Sequence, residues 1–123
     1  MRIRSLYAVF FVFVFSLMTV AAAHALVQSG AVTPEQAKAM IAEKKDLVIL
    51  DVRNPNEYVV AHYPNSLNIP VKELETRFSE VPSGRPVLIH CAKGVRAQRA
   101  FDLMKEKRPE IKDIYFIKGE PMF

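Results

Sequence analysis

The sequence predicts an α/β domain, a mainly parallel central sheet flanked by helices on both faces. Three observations lead there. Residues 47–50, 86–90 and 114–117 are short, almost continuously apolar runs, the pattern of strands covered on both sides. Between them lie stretches whose apolar residues recur at helical spacing. The alternation comes in short units, which favours parallel strands joined by helical crossovers over hairpins.

The N-terminal residues come first. In residues 1–25, Arg2 and Arg4 precede an uncharged apolar run from 5 to 23, and Ala23-His24-Ala25 supplies small residues for a signal peptidase. These residues are expected to form an export signal cut after Ala25, with 21–23 as a second possible site, leaving 26–123 as one domain. An uncleaved membrane anchor is the alternative, since about 20 apolar residues span a bilayer. In either case Arg2 and Arg4 hold the N-terminus inside and the body goes out. The expected location is therefore the periplasm, with membrane contact only through an uncleaved leader. The single cysteine lies far from the cleavage region, so a lipid anchor is not expected.

Downstream, Thr33 reads as an N-cap, Pro34 as the first helical position and Gln36 as the partner closing a capping box. Ala37, Met40 and Ile41 then give that helix one buried face. The strand at 47–50 ends at Asp51. Asn54-Pro55-Asn56-Glu57 repeats the cap logic and starts a short helix that stops near Tyr63-Pro64. Residues 66–69 form a weaker strand, and Val71, Leu74 and Phe78 share one face of a further helix. After the strand at 86–90, a helix turns Ala97, Ala100, Phe101 and Met104 inward until Pro109 stops it. The strand at 114–117 completes the pattern, with no repeat, low-complexity tract or linker.

Composition excludes several classes of function. The formal charge of +4 falls to +2 without Arg2 and Arg4, and no arginine-rich stripe or aromatic-basic interleaving appears, so nucleic acid is not an expected partner. Lys105-Glu106-Lys107-Arg108 reads as a solvated helix end. One Cys and three His, one of them in the leader, give no ligand spacing, so neither a metal nor a cofactor is expected. Cys91 is alone and cannot form an internal disulfide.

Cys91 directly follows a predicted strand and precedes a predicted helix, at the carboxyl edge of the sheet where open parallel sheets place their functional crevice. The loop Cys91-Ala92-Lys93-Gly94-Val95-Arg96-Ala97 offers a flexible Gly94, two cations, inward-turning N–H groups and a helix N-terminus pointing at the sulfur. The cations, the N–H groups and the helix end each favour the thiolate, the reactive form. Elsewhere, Asp51 is expected to order its neighbouring loop, Arg53 and Glu57 to form a structural pair or caps, and His62 to fix a loop by hydrogen bonding. His90 falls on the strand face opposite Cys91 and is not expected to act as its base.

Taken together, these motifs resemble the rhodanese family of sulfurtransferases, from about Thr33 to the end of the chain. Asp51-Val52-Arg53 with Glu57-Tyr58 is similar to the family's D-V-R…E-[YF] signature. His62-Tyr63-Pro64-Asn65-Ser66-Leu67-Asn68-Ile69-Pro70 resembles its H-I-P-G-A-x-N-I-P stretch, and residues 91–97 match C-x-x-G-x-R-[SA]. The departures are Ala61 for a Gly, Asn65-Ser66 for Gly-Ala, Gly119-Glu120 for Gly-Gly, and Phe123 where a Trp is common.

The resemblance implies a rhodanese-like fold of the single-domain, exported type, and ping-pong sulfur transfer. Cys91 thiolate would take the outer sulfur of a small sulfur-containing anion such as thiosulfate, and an external thiol or cyanide would remove it from the persulfide. Ala92, Lys93, Gly94, Val95, Arg96 and Ala97 would form the anion-binding loop, with Lys93 attracting the donor and Arg96 either facing substrate or bracing the loop. Asp51, Arg53, Glu57 and His62 would support it. One alternative is a low-turnover sulfur carrier or a non-catalytic interaction module. Another is a Cys-dependent phosphatase or arsenate reductase, whose H-C-x5-R loop carries one residue more than the four between Cys91 and Arg96.

Overall fold

The computed structural model describes residues 28–123, so the expected export signal lies outside the described residues. Among the described residues no helix is long and apolar enough to cross a membrane. The elements are β1 (Gly30–Val32), α1 (Pro34–Glu43), β2 (Val48–Asp51), α2 (Pro55–Val60), β3 (Leu67–Asn68), β4 (Val87–His90), α3 (Val95–Lys107) and β5 (Ile114–Ile117). Among the described residues five strands form one sheet in the order β1-β5-β4-β2-β3, and every pairing is parallel.

Alternation along the strands builds two cores. Val48 and Leu50 of β2, Val87 and Ile89 of β4, and Ile114 and Phe116 of β5 face α3, where Ala97, Ala100, Phe101 and Met104 meet them. Ile49, Leu88, Tyr115 and Ile117 face the opposite way, against Ala37 and Met40 of α1. Fully buried residues such as Leu50, Leu88 and Ile89 each contribute about 1.5–3 kcal/mol relative to exposure. The sequence pattern is therefore realised, with one helix layer on each face.

Local signals set the helix starts. The Gln36 N–H donates to Thr33 Oγ1 at 3.1 Å and the Thr33 N–H to Gln36 Oε1 at 2.9 Å, closing the expected capping box. At α2, the Asn54 N–H donates to Glu57 Oε2 at 2.9 Å, which anchors a carboxylate that also reaches α3.

One element was not foreseen and one expectation is corrected. β1 carries no periodic signal, because its three residues bury only Val32, yet it pairs with β5 from Gly30↔Tyr115 to Val32↔Ile117. The helix expected through Val71, Leu74 and Phe78 is instead two single 3-10 turns, Leu74–Thr76 and Phe78–Glu80. The Thr76 hydroxyl donates to the Glu73 carbonyl at 3.0 Å, an alternative to continued helix bonding. Leu74 is still buried, and Val71 and Phe78 still pack on the core.

Candidate active site

Strand β4 runs out at His90, and Cys91 is the next residue, 1% exposed, with α3 beginning at Val95. Its Sγ accepts hydrogen bonds from the Gly94 N–H at 3.0 Å and the Ala97 N–H at 3.3 Å. Both donors belong to the loop and first turn of α3, where N–H groups lack intrahelical acceptors. The sulfur therefore sits where partial positive charge collects, which stabilises a thiolate or any anion bonded to it. Of the amides from 92 to 97, those of Ala92, Lys93, Val95 and Arg96 are not engaged by Sγ.

Gly94 makes this turn possible. Its φ of +101° lies in the left-handed region, and a Cβ there would stand 2.8 Å from the Gly119 nitrogen and 3.2 Å from the Ile117 carbonyl oxygen. Backbone beyond β5 thus packs directly behind the loop, at a distance only glycine allows.

The two loop cations have different fates. Lys93 is exposed and has no ion pair among the described residues. Arg96 reaches across to α2, donating from Nη1 to Glu57 Oε2 at 2.8 Å and from Nη2 to Glu57 Oε1 at 3.0 Å. This fork, aided by the Asn54 N–H, holds the Glu57 carboxyl at a pKa of about 2 despite partial burial. The pairing raises the Arg96 pKa in turn, and the nearby Cys91 adds to that rise.

Arg53 does not join Glu57, as their spacing suggested. It folds back on buried Asp51, with Nη2 2.7 Å and Nε 3.1 Å from Oδ2, and also donates to the Ala61 carbonyl at 2.7 Å. The Asp51 hydrogen bond raises the Arg53 pKa against the opposing effect of burial. Asn68, which sequence reasoning did not single out as a site residue, donates to the carbonyls of Asp51 and Arg53 at 3.0 and 2.9 Å. Its signal was only its place in the N-I-P stretch. Together Asp51, Arg53 and Asn68 fix the turn that leads to Glu57.

His62 is exposed, with its ring stacked on Tyr58 at 3.8 Å and Nδ1 2.7 Å from the Tyr58 carbonyl oxygen. It steadies the end of α2 and touches neither Cys91 nor its loop. Asn65 adopts φ +61°, the conformation that Asn in place of Gly tolerates. His90 is buried on the α1 side of the sheet, away from the Cys91 side chain, with Asp51 Oδ2 3.5 Å from Nε2. Burial pushes its pKa down, with Asp51 opposing, and neither ring nitrogen has a hydrogen-bond partner. A neutral imidazole facing away from the sulfur is no general base for it.

Comparison with known proteins bears on this geometry. The family model for the rhodanese-like domain matches residues 33–120. A sulfurtransferase of Allochromatium vinosum is 33% identical over 60 residues, covering 49% of this chain and 56% of that protein. Thiosulfate sulfurtransferase GlpE of Coxiella burnetii is 28% identical over 79 residues, covering 64% of this chain and 72% of that protein. The chain spans about half the length of the first curated relatives it matches. Among solved structures, a rhodanese-related protein from Thermoplasma volcanium aligns with a TM-score of 0.64 and 25% identity, over 76% of this chain and 85% of that one.

Proposed function

Because this chain belongs to the rhodanese-like domain family, we propose that it is a sulfurtransferase that carries sulfane sulfur as a Cys91 persulfide. Relatives named for sulfur transfer support the class of chemistry. The observation that carries the reading is the pair of N–H groups, Gly94 and Ala97, aimed at Cys91 Sγ.

In the first half-reaction Cys91 thiolate attacks the outer sulfur of a donor such as thiosulfate; the donor's S–S bond breaks and sulfite leaves with its electron pair. The persulfide's outer sulfur then carries the negative charge into the mouth of the loop, where the first-turn N–H groups not engaged by Sγ are available as donors, as in an oxyanion hole. An external thiol or cyanide attacks that sulfur in the second half-reaction and restores the thiolate. Lys93 draws anions to the mouth. Arg96, tied to Glu57, braces the loop against α2. Residues 1–25 serve as an export signal in this proposal, and the activity is periplasmic.

Intact-mass spectrometry of the purified exported protein before and after thiosulfate tests this, with Cys91→Ser alongside. The expected result is a gain of one sulfur atom, absent in the variant and discharged by cyanide, on a chain whose starting mass locates the cut. Full thiosulfate:cyanide activity in Cys91→Ser would overturn the mechanism. A single burst of persulfide without turnover would instead mark a sulfur carrier.

A further inference from the structure

The sheet is incomplete beside β2. β3 is two residues long and pairs only with Leu50 and Asp51, so the first half of β2, Val48 and Ile49, has a strand neighbour on the β4 side alone. Upstream of β3 the chain turns through Pro64 and Asn65, whose φ of +61° takes it out of extended conformation. Alternation decides what faces the gap. The Val48 and Val52 N–H groups donate to the Pro86 and His90 carbonyls on the β4 side, while the Asp51 carbonyl accepts from the Ile69 N–H on the other. Ile49, in step with Asp51, therefore turns its N–H toward the gap.

The gap opens into a cleft of about 640 Å³, the size of a small-ligand site. Ile41 of α1, Leu47, Ile49 and Leu67 give it an apolar floor. Lys45 and Arg85 also line it, both exposed and without an ion pair among the described residues. Arg85 Nε donates to the Asp46 carbonyl at 2.8 Å, and Lys44 sets its ammonium 5.6 Å from the centre of the Tyr115 ring. The one carboxylate on the lining, Glu80, is bound by Arg77 at 2.6 and 2.9 Å, and Asp46 lines a separate hollow with Glu110 and Asp113. The cleft thus joins unshared positive charge to an apolar floor and an open strand edge. Val48 pairs with Val87, four residues before Cys91, which sets the cleft about 13 Å from the sulfur along the strands.

We propose that this cleft binds the free C-terminus of an extended apolar peptide, which completes the sheet beside β2. A peptide carbonyl accepts the Ile49 N–H, apolar side chains lie on Ile41, Leu47 and Leu67, and the terminal carboxylate meets Lys45 and Arg85. The missing strand neighbour favours a peptide over a fatty anion, because only the peptide brings a carbonyl at strand spacing. The two unpaired cations favour a chain end over an internal segment, which carries no carboxylate of its own.

The test is an amide NMR titration of the purified protein with acetyl-Ala-Val-Leu, as free acid and as carboxamide, at physiological ionic strength. Saturable shifts should centre on Leu47, Ile49 and Leu67, with the free acid about fivefold tighter than the carboxamide. Hydrogen exchange at the Ile49 amide should slow at saturation, a readout that a ligand touching only side chains does not move. Lys45→Gln combined with Arg85→Gln should remove the difference between acid and amide and leave the amide spectrum away from the cleft unchanged. Equal affinity for acid and amide, unchanged exchange at Ile49, or shifts confined to the Gly94–Ala97 loop would each overturn the proposal. So would the absence of saturation up to about 5 mM peptide. Decanoate that displaces the free acid and binds more tightly without slowing Ile49 exchange would overturn it in favour of a fatty anion. None of these outcomes depends on sulfur transfer at Cys91.

Discussion

Replacing Gly94 by alanine attacks the loop at the point where backbone geometry and chemistry meet. A Cβ there would lie 2.8 Å from the Gly119 nitrogen, 3.2 Å from the Ile117 oxygen and 3.4 Å from Lys118 Cα, all backbone atoms that cannot rotate aside. The 117–119 segment is itself held by the Lys118 N–H, which donates to the Val32 carbonyl at 2.9 Å. The added methyl therefore forces the loop to move. Left-handed strain alone costs about 1–3 kcal/mol, so Gly94→Ala should lose at least about 2 kcal/mol in urea unfolding once the contact is included. Moving the loop carries the Gly94 and Ala97 N–H groups off the sulfur, and loss of one such preorganised donor costs about 10²–10³ in rate. Single-turnover persulfidation should slow by that factor. Gly84→Ala is the control, because Gly84 has φ +76° and nothing within 4 Å of an added Cβ. It should show backbone strain of about 1 kcal/mol and an unchanged rate. If Gly94→Ala unfolded within about 0.5 kcal/mol of the parent and took up sulfur at the parent rate, the close packing of residues 117–119 behind the loop would not matter as argued.

The charged groups give further expected outcomes. Asp51→Asn leaves buried Arg53 without its counter-ion and should cost about 3–5 kcal/mol in denaturant unfolding. Glu57 has its pKa lowered from 4.5 to about 2 by Arg96. Its contribution to stability is thus present above pH 4.5 and lost as pH falls toward 2, and the difference between the parent and Glu57→Gln should shrink across that window. The buried His90 imidazole has its pKa lowered from 6.5, so its NMR resonances should titrate below that value. Because the unfolded chain binds the proton more readily, stability present above pH 6.5 should fall as pH drops below it, and His90→Leu should flatten that slope.

The ties around the loop explain how a small domain keeps a buried sulfur in one geometry. Asp51 and His90 are partners in register on β2 and β4. From Asp51 the chain of contacts runs through Arg53 and Asn68 to the turn, through Asn54 to Glu57, and through Glu57 to Arg96 and the loop. On the other side, Gly119 backs Gly94. The strap continues to Met122, whose N–H donates to Tyr63 Oη at 2.9 Å, and to Phe123, whose ring lies 5.0 Å from the Arg53 guanidinium. Phe123 therefore packs at the edge of the Asp51–Arg53–His90 cluster.

Much of this was legible in the residues themselves, because it depends on neighbours in sequence. The four-residue apolar runs of β2, β4 and β5, the capping box at Thr33, and the strand–loop–helix placement of Cys91 are local patterns that burial and hydrogen-bond geometry translate directly. The strand β1 and the 3-10 turns near Leu74 were not legible, since three-residue elements carry no period and exist only through what they pack on. Of the two roles expected for Arg53 and Glu57, Glu57 takes the cap but the pair does not form, for a related reason. Arg53 and Glu57 are four apart, but Arg53 precedes the helix, so helical spacing does not govern its side chain. It turns to Asp51, two residues away. Glu57 was left to meet Arg96, 39 residues on, because the parallel order β4-β2 brings the ends of both strands, and the helices that come after them, to the same edge. Sequence determined which groups could carry charge; only the sheet order decided which of them lie close enough for Coulomb attraction to choose partners.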